Sequence, residues 1–292
     1  MPFDSDTRLM GLPAPAKINR FLHVVGRRAD GYHLLQSVFE LVSLADTISV
    51  RALPGGEIRR SGDMAGAADD LCVRAALLLR EKTGTERGAE ITVKKRIPCG
   101  AGLGGGSSDA ATTLIALNRL WGLGLHRSEL AALSVSLGAD VPFFIGGRNA
   151  FVEGIGEKMT PVEMPPQWFA LVWPGTGSNT AEAFKAPDLT RDSRSLKIAD
   201  LSDWLQGRLP KDIGRNDLEP VVAGRIPPVA AALARMSRFG DARMTGSGSA
   251  VFVPVPDEAS ARRAVSGLEG NWLGFVVKSL PSHPLTDWLD NI

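Results

Sequence analysis

The sequence predicts an α+β protein of two domains, on three observations. Strand-like and helical segments interleave from the start of the chain to about residue 160. In their midst, residues 98–110 are dense in glycine and lead directly into a helical pattern. From about Pro161 the character changes: a buried-strand run over residues 168–173 is followed by a glycine-rich turn over residues 174–179. Residues 1–160 and 161–292 are therefore expected to form the two domains. A chain of 292 residues that is 44% hydrophobic and 22% charged has material for two substantial cores.

The elements follow in order. Residues 14–25, 37–44 and 46–52 read as strands, and 69–82 as a helix. Ile91-Thr92-Val93 alternates between charged neighbours as a strand does, and Leu114, Leu117 and Trp121 recur at helical spacing, placing a helix over 107–121. A further helix starts at Ser128 as N-cap, carries Leu130, Leu133 and Leu137, and stops at Gly138. Asp140 and Pro142 follow at once, so Asp140 falls on a tight turn at a helix end. In the second half, residues 188–212 are polar and irregular, 228–239 form an alanine-rich helix, and Thr245-Gly246-Ser247-Gly248-Ser249 leads into a strand at Val251-Phe252-Val253.

The loop Pro98-Cys99-Gly100-Ala101-Gly102-Leu103-Gly104-Gly105-Gly106-Ser107-Ser108 has the composition of a phosphate cradle. Glycine lets successive main-chain N–H groups converge on one oxygen without side chains in the way, and the helix that follows turns its positive end to the same place. A flexible linker of this composition would stay polar on both sides, whereas a strand precedes this loop and a helix follows it. Gly100-Ala101-Gly102-Leu103-Gly104-Gly105 fits the dinucleotide fingerprint formally, but the loop does not leave its strand directly, and no acidic residue closes a second strand about twenty residues on. The loop is not a Walker motif either, because no Gly-Lys-Ser/Thr ends it. The loop at Thr245, taken alone, reads as a plain glycine turn.

Composition narrows the class. Lys and Arg number 33 against 32 Asp and Glu, a net charge of +1 that favours neither a nucleic-acid nor a membrane surface. No protein partner is implied. Two cysteines, Cys72 and Cys99, one of them in the cradle, suit a reducing compartment. Residues 1–8 carry two aspartates and no apolar core, and no apolar run is long enough to span a bilayer, so the expected location is the cytoplasm.

Three segments together carry a family resemblance. Pro15-Ala16-Lys17-Ile18-Asn19, the glycine loop, and Thr245-Gly246-Ser247-Gly248 resemble, in order, the three motifs of the GHMP small-molecule kinases. Gly31-Tyr32-His33, the triple glycine before Ser107 and Gly138-Ala139-Asp140-Val141-Pro142-Phe143 resemble more narrowly the branch acting on 4-diphosphocytidyl-2-C-methyl-D-erythritol. That branch moves the γ-phosphoryl group of ATP to the substrate's 2-hydroxyl, in non-mevalonate isoprenoid precursor biosynthesis. The resemblance implies a two-domain GHMP kinase fold, with a ribosomal-protein-S5-like N-terminal domain, an α+β C-terminal domain and the active site in the cleft. It implies ATP and Mg²⁺ as cofactors, ATP on residues 98–108, and Ser108 as the hydroxyl nearest the metal.

The same resemblance gives Asp140 the part of general base and Lys17 that of its electrostatic partner. A carboxylate beside an attacking alcohol accepts its proton, and a lysine in an apolar strand needs an anion to justify burial. From its own sequence context, Asp140 reads equally well as a turn or capping residue. For the substrate the resemblance points to Asn19, Thr245, Gly246 and Ser247, with Tyr32 stacking on cytosine, His33 bonding the edge of the base and Phe184 offering a second aromatic face. Phe184 reads equally as core packing. Lys94-Lys95-Arg96 reads as a solvated strand end ahead of the alternative, a basic run that steers nucleotide into the cleft. Three departures bear on the adenosine: Asp70 stands where the family offers asparagine, Asp109 where asparagine is also familiar, and Ala101 interrupts the glycine run. The alternatives are a homoserine- or mevalonate-type GHMP kinase, which would lack the Gly31-Tyr32-His33 element, and a GHMP-fold ligand sensor, which would have lost Lys17 or Asp140.

Overall fold

A computed structural model describes residues 8–66, 69–210 and 213–290; the reading of the first residues and the end of the 188–212 stretch lie outside them. The first layer holds β1 (Arg8–Arg27), β2 (His33–Leu53), β3 (Ile58–Gly62), α1 (Leu71–Thr83), β4 (Gly88–Lys94), α2 (Gly105–Trp121), α3 (Arg127–Ser134), α4 (Val141–Gly146), β5 (Ala150–Gly154) and β6 (Lys158–Pro161). The strands form one sheet in the order β3-β4-β2-β5-β6, with β1 also paired to β2. All pairs are antiparallel except β3 with β4, which α1 connects as a crossover. α1, α2 and α4 cover this sheet through a core that includes Leu41, Ile91, Leu114, Trp121 and Phe144.

The second layer comprises β7 (Trp168–Trp173), α5 (Thr180–Lys185), α6 (Leu201–Leu205), α7 (Glu219–Arg225), α8 (Pro227–Met236), β8 (Arg243–Met244), β9 (Val251–Val255), α9 (Glu258–Ala264) and β10 (Leu273–Lys278). Its strands form a four-stranded antiparallel sheet in the order β10-β7-β9-β8. A separate core joins the two sheets: Ile18 and Val42 from the first meet Phe169, Leu171 and Phe252 from the second, with Leu103 of the glycine loop among them. The loop is thereby fastened at the junction of the layers. Among the described residues, no helix is long and apolar enough to cross a membrane.

Several boundaries differ from the sequence reading, each for a local reason. Residues 37–44 and 46–52 run as one strand, with Asp46 at the join fully buried and paired with Lys95. β1 bulges between Pro15 and Ala16, next to a residue that has no N–H to give the ladder. α2 begins at Gly105, since Gly104 takes φ +70 as its N-cap. α3 starts at Arg127 rather than at Ser128, with Glu129 accepting the N–H of His126 at 2.8 Å.

Candidate active site

Three stretches far apart in sequence meet above the inter-sheet core. The Lys17 amide in β1 donates to Leu103 O at 3.0 Å, Ala250 N to Ala101 O at 3.0 Å, and Asn19 N to Thr245 Oγ1 at 2.8 Å. These bonds fix the glycine loop between β1 and the Thr245 turn. Glycine is required here sterically: at Gly102, with φ +76, a Cβ would lie 3.0 Å from Gly248 O and closer still to Thr245 O. At Gly104 it would meet Phe144 Cζ at 3.0 Å and Lys17 Cγ at 3.2 Å. Between the stretches lies a cleft of about 460 Å³, lined by every residue from Pro98 to Ser107 and by Lys17, Asn19, Asp140, Gly246 and Ser247.

No side chain caps the first turn of α2, so its leading N–H groups stay available to an anion. Asp140 precedes α4 and its carboxylate caps nothing. Instead Asp140 Oδ2 lies 3.4 Å from Lys17 Nζ. The ammonium is 4% exposed by residue, donates to Asn19 Oδ1 at 2.6 Å and sits 4.4 Å from the centre of the Phe39 ring. Asn19 passes the chain on to Ser37 Oγ at 2.9 Å, and Ser37 donates to Phe21 O. Lys17 is thus held by a neutral amide, a ring face and one carboxylate that remains a third exposed, with its charge directed at the cleft.

A second cavity of about 580 Å³ adjoins the first, sharing Leu35, Ile155 and Phe184. Tyr32, His33 and Phe184 all line it. Tyr32 is 62% exposed, while His33 stacks on Phe184 with ring centroids 5.2 Å apart. The Phe184 face therefore has imidazole on it, and a base that stacked there would have to share or displace it. Burial, then the Arg191 and Arg27 cations, hold the His33 pKa below its ordinary value.

Two of the expected residues do not reach the cleft. Thr245 is fully buried, its hydroxyl spent on Asn19 N, so it shapes the loop from behind. Ser108 is also fully buried and its hydroxyl has no hydrogen-bond partner among the described residues; Ser107, one position earlier on the turn, is the hydroxyl that faces the cleft. Asp70 caps α1 through Cys72 N and Val73 N and pairs with Arg60 at 2.9 Å. Lys95 is not a solvated strand end. It lines the cleft and its ammonium lies 2.5 Å from Asp46 and 2.7 Å from Asp109. Asp46 also accepts from Ile97 N at 2.8 Å, anchoring the approach to the cradle. Burial and then the nearby Asp46 push the Asp109 carboxyl up to about 7 against the pull of Lys95. Burial opposes the Lys95 charge in turn, but Asp109 and Asp46 outweigh it and raise its pKa.

Residues the sequence reading did not single out include Asp46, Arg191 and Asn216. Asn216 Nδ2 donates to Met244 O and Gly246 O, both at 2.8 Å, which holds the Thr245 turn in shape. An asparagine before Asp217 carries no local signal for a partner about thirty residues away.

Comparison with known proteins bears on this arrangement. The family model for the GHMP kinases N terminal domain matches residues 70–148, and that for the GHMP kinases C terminal matches 196–272. A 4-diphosphocytidyl-2-C-methyl-D-erythritol kinase of Aromatoleum aromaticum is 48% identical over 285 residues, covering 97% of this chain and 98% of its own. One from Herminiimonas arsenicoxydans is 49% identical over 282 residues, covering 95% and 97%. The chain belongs to the 4-diphosphocytidyl-2-C-methyl-D-erythritol kinase family of GHMP kinases. A solved 4-(cytidine 5'-diphospho)-2C-methyl-D-erythritol kinase superposes with a TM-score of 0.79 at 35% identity, over 93% of this chain and 99% of that one. Homoserine kinase from Cytophaga hutchinsonii shares the fold, with a TM-score of 0.68 at 15% identity over 97% of each chain. As a GHMP kinase the protein uses ATP, and the two-domain α+β architecture is that of its family.

Proposed function

We propose that this GHMP kinase transfers the γ-phosphoryl group of ATP to the 2-hydroxyl of 4-diphosphocytidyl-2-C-methyl-D-erythritol, with Asp140 as general base and Lys17 as its electrostatic partner. The observation that carries the reading is the buried Lys17 ammonium, 3.4 Å from an uncommitted Asp140 carboxylate, on the wall of a cleft whose other wall is the glycine loop. ATP lies along residues 98–107, its phosphates on the main-chain N–H groups of residues 99–107, and the division of labour between residues 1–160 and 161–292 falls at the end of β6. Asp140 takes the hydroxyl proton, the freed oxygen bonds to the γ-phosphorus, and the bond to the bridging oxygen breaks so that ADP leaves with the electron pair. Lys17 steadies the charge developing on the attacking oxygen.

Mg²⁺ fits this wall without a protein cage. Such an ion binds mainly through phosphate and water with one or two protein ligands, and the cleft offers Ser107 Oγ in that place in preference to the buried Ser108. When bound it neutralises phosphate charge. The neighbouring cavity takes the cytidine: Tyr32 supplies a ring face, Phe184 a face shared with the His33 imidazole, His33 a polar edge, and Asn19, Gly246 and Ser247 bound the path to the reacting hydroxyl.

The test is chemical. The protein, ATP, Mg²⁺ and the cytidine-diphosphate substrate are incubated together and the product is located by ³¹P spectroscopy. A new phosphate on the 2-hydroxyl is expected, with methylerythritol 4-phosphate used at least about 10³-fold less well because the remote base positions the reacting end. Equal use of both substrates would leave a GHMP kinase of another acceptor.

A further inference from the structure

Arg191 lies in the polar stretch that carries no sequence signal, yet its guanidinium reaches four acceptors. Nε donates to His33 Nε2 at 3.1 Å, one terminal nitrogen to Leu189 O at 3.0 Å, and the other to Phe184 O at 3.3 Å and Ala186 O at 2.6 Å. Phe184 and Ala186 end α5, so the same group that holds the imidazole also closes the helix that carries the Phe184 ring. His33 and Phe184 are the stacked pair of the second cavity, and Arg191 itself lines that cavity. Arginine has no acceptor and keeps its charge, so a bond to His33 Nε2 requires that nitrogen to be bare. The proton of a neutral imidazole must then sit on Nδ1. That His33 is neutral agrees with the burial and the flanking Arg191 and Arg27 charges.

We propose that Arg191 is a positioning residue that locks His33 in the Nδ1–H form and thereby makes the cavity select cytosine over uracil. The inference rests on the cytidine reading of that cavity. Cytosine presents an unprotonated N3 as an acceptor, which an N–H donor satisfies. Uracil presents N3–H at the same place, and two donors would face each other. A site built to give one hydrogen bond rejects a ligand that leaves it unmade. Without Arg191, the ring is free to take the other tautomer, in which Nδ1 accepts, and the distinction between the two bases fades.

The experiment reads the ring and the selectivity together. Long-range ¹H–¹⁵N spectra of the wild-type protein should show His33 protonated at Nδ1 and bare at Nε2. Arg191→Met should mix the tautomers, and the ratio of kcat/KM for the cytidine-diphosphate substrate to that for its uridine-diphosphate counterpart should fall about tenfold, the worth of one hydrogen bond. ATP affinity reports that the variant is folded. A wild-type spectrum with the proton on Nε2 overturns the proposal and needs no variant at all. So does an Arg191→Met enzyme that binds ATP and keeps both the tautomer and the selectivity. A wild-type enzyme that phosphorylates neither nucleotide substrate overturns the cytidine reading instead, and the spectra still decide whether Arg191 sets the ring.

Discussion

Gly102→Ala is the substitution whose effect can be worked most closely from the structure. Gly102 has φ +76, and Gly124, at φ +67, shares that conformation but would place its Cβ in open space. The left-handed backbone alone costs an alanine about 1–2 kcal/mol at either position. At Gly102 the new Cβ would also sit 3.0 Å from Gly248 O, 3.1 Å from Gly248 N and against Thr245 O. These are backbone atoms with no rotamer to yield, so the cradle and the Thr245 turn must part, adding about 1–3 kcal/mol of the kind that overpacking costs. Gly102→Ala should therefore be less stable than Gly124→Ala by that margin in denaturant titrations. Because both loops line the cleft, ATP affinity by calorimetry should fall at least about tenfold in Gly102→Ala and stay near wild type in Gly124→Ala. Equal stability and equal ATP affinity in the two variants would refute the idea that the loops form one rigid cradle.

Other outcomes follow from the same geometry. The folded-state pKa of Asp109, pushed up to about 7 from an ordinary 3.8, means that between about pH 4 and 7 the folded form holds a proton that the unfolded chain has lost, so this group lowers stability as pH rises through that window. Asp109→Asn should remove that fall, worth at most roughly 4 kcal/mol, and the difference between wild type and variant is the quantity to read. The difference matters because His283, pushed down to about 4 by burial and then by Arg127, slopes the other way over about pH 4–6.5. Identical pH profiles for the two proteins would count against the buried Lys95 cluster. The Cys72 thiol is buried and pushed up to about 12, whereas Cys99 is exposed in the cradle, so a thiol reagent should label Cys99 first and ATP should slow it. Equal labelling rates, indifferent to ATP, would move the nucleotide off this loop. Tyr32→Ala should weaken the cytidine substrate by about 1–3 kcal/mol of stacking and leave ATP affinity alone. A KM unchanged by that substitution would mean Tyr32, 62% exposed, stands outside the bound state.

How much of this was legible in the sequence depends on the range of the interaction concerned. The cradle is a local object: glycines with positive φ and a helix start are written in consecutive residues, and the family resemblance supplied Lys17 and Asp140. What pairs at long range was not readable. Asp46 stood only as the first residue of a strand, because its partners, Lys95 and Ile97, lie about fifty residues on; its burial became intelligible only with both in place. Arg191 meets His33 across 158 positions, in a stretch with no periodicity to mark it. β5, β6 and β10 went unread for the same reason, since short strands draw their definition from neighbours already in the sheet. Thr245 and Ser108 show the converse. Their motifs place them at the site, but only packing tells which hydroxyl of a turn faces the cleft.

The central claim is that the Asp140 carboxylate beside Lys17 accepts the proton of the attacking hydroxyl. Asp140→Asn tests it most directly, since the amide keeps the shape of the turn but cannot act as the base. Rapid-quench measurement of phosphoryl transfer from ATP to the cytidine-diphosphate substrate, with ATP affinity measured in parallel, should show turnover lowered by about 10²–10⁴ and nucleotide binding retained. Turnover near the wild-type rate in a protein that binds ATP normally would make Asp140 a turn residue and contradict the account.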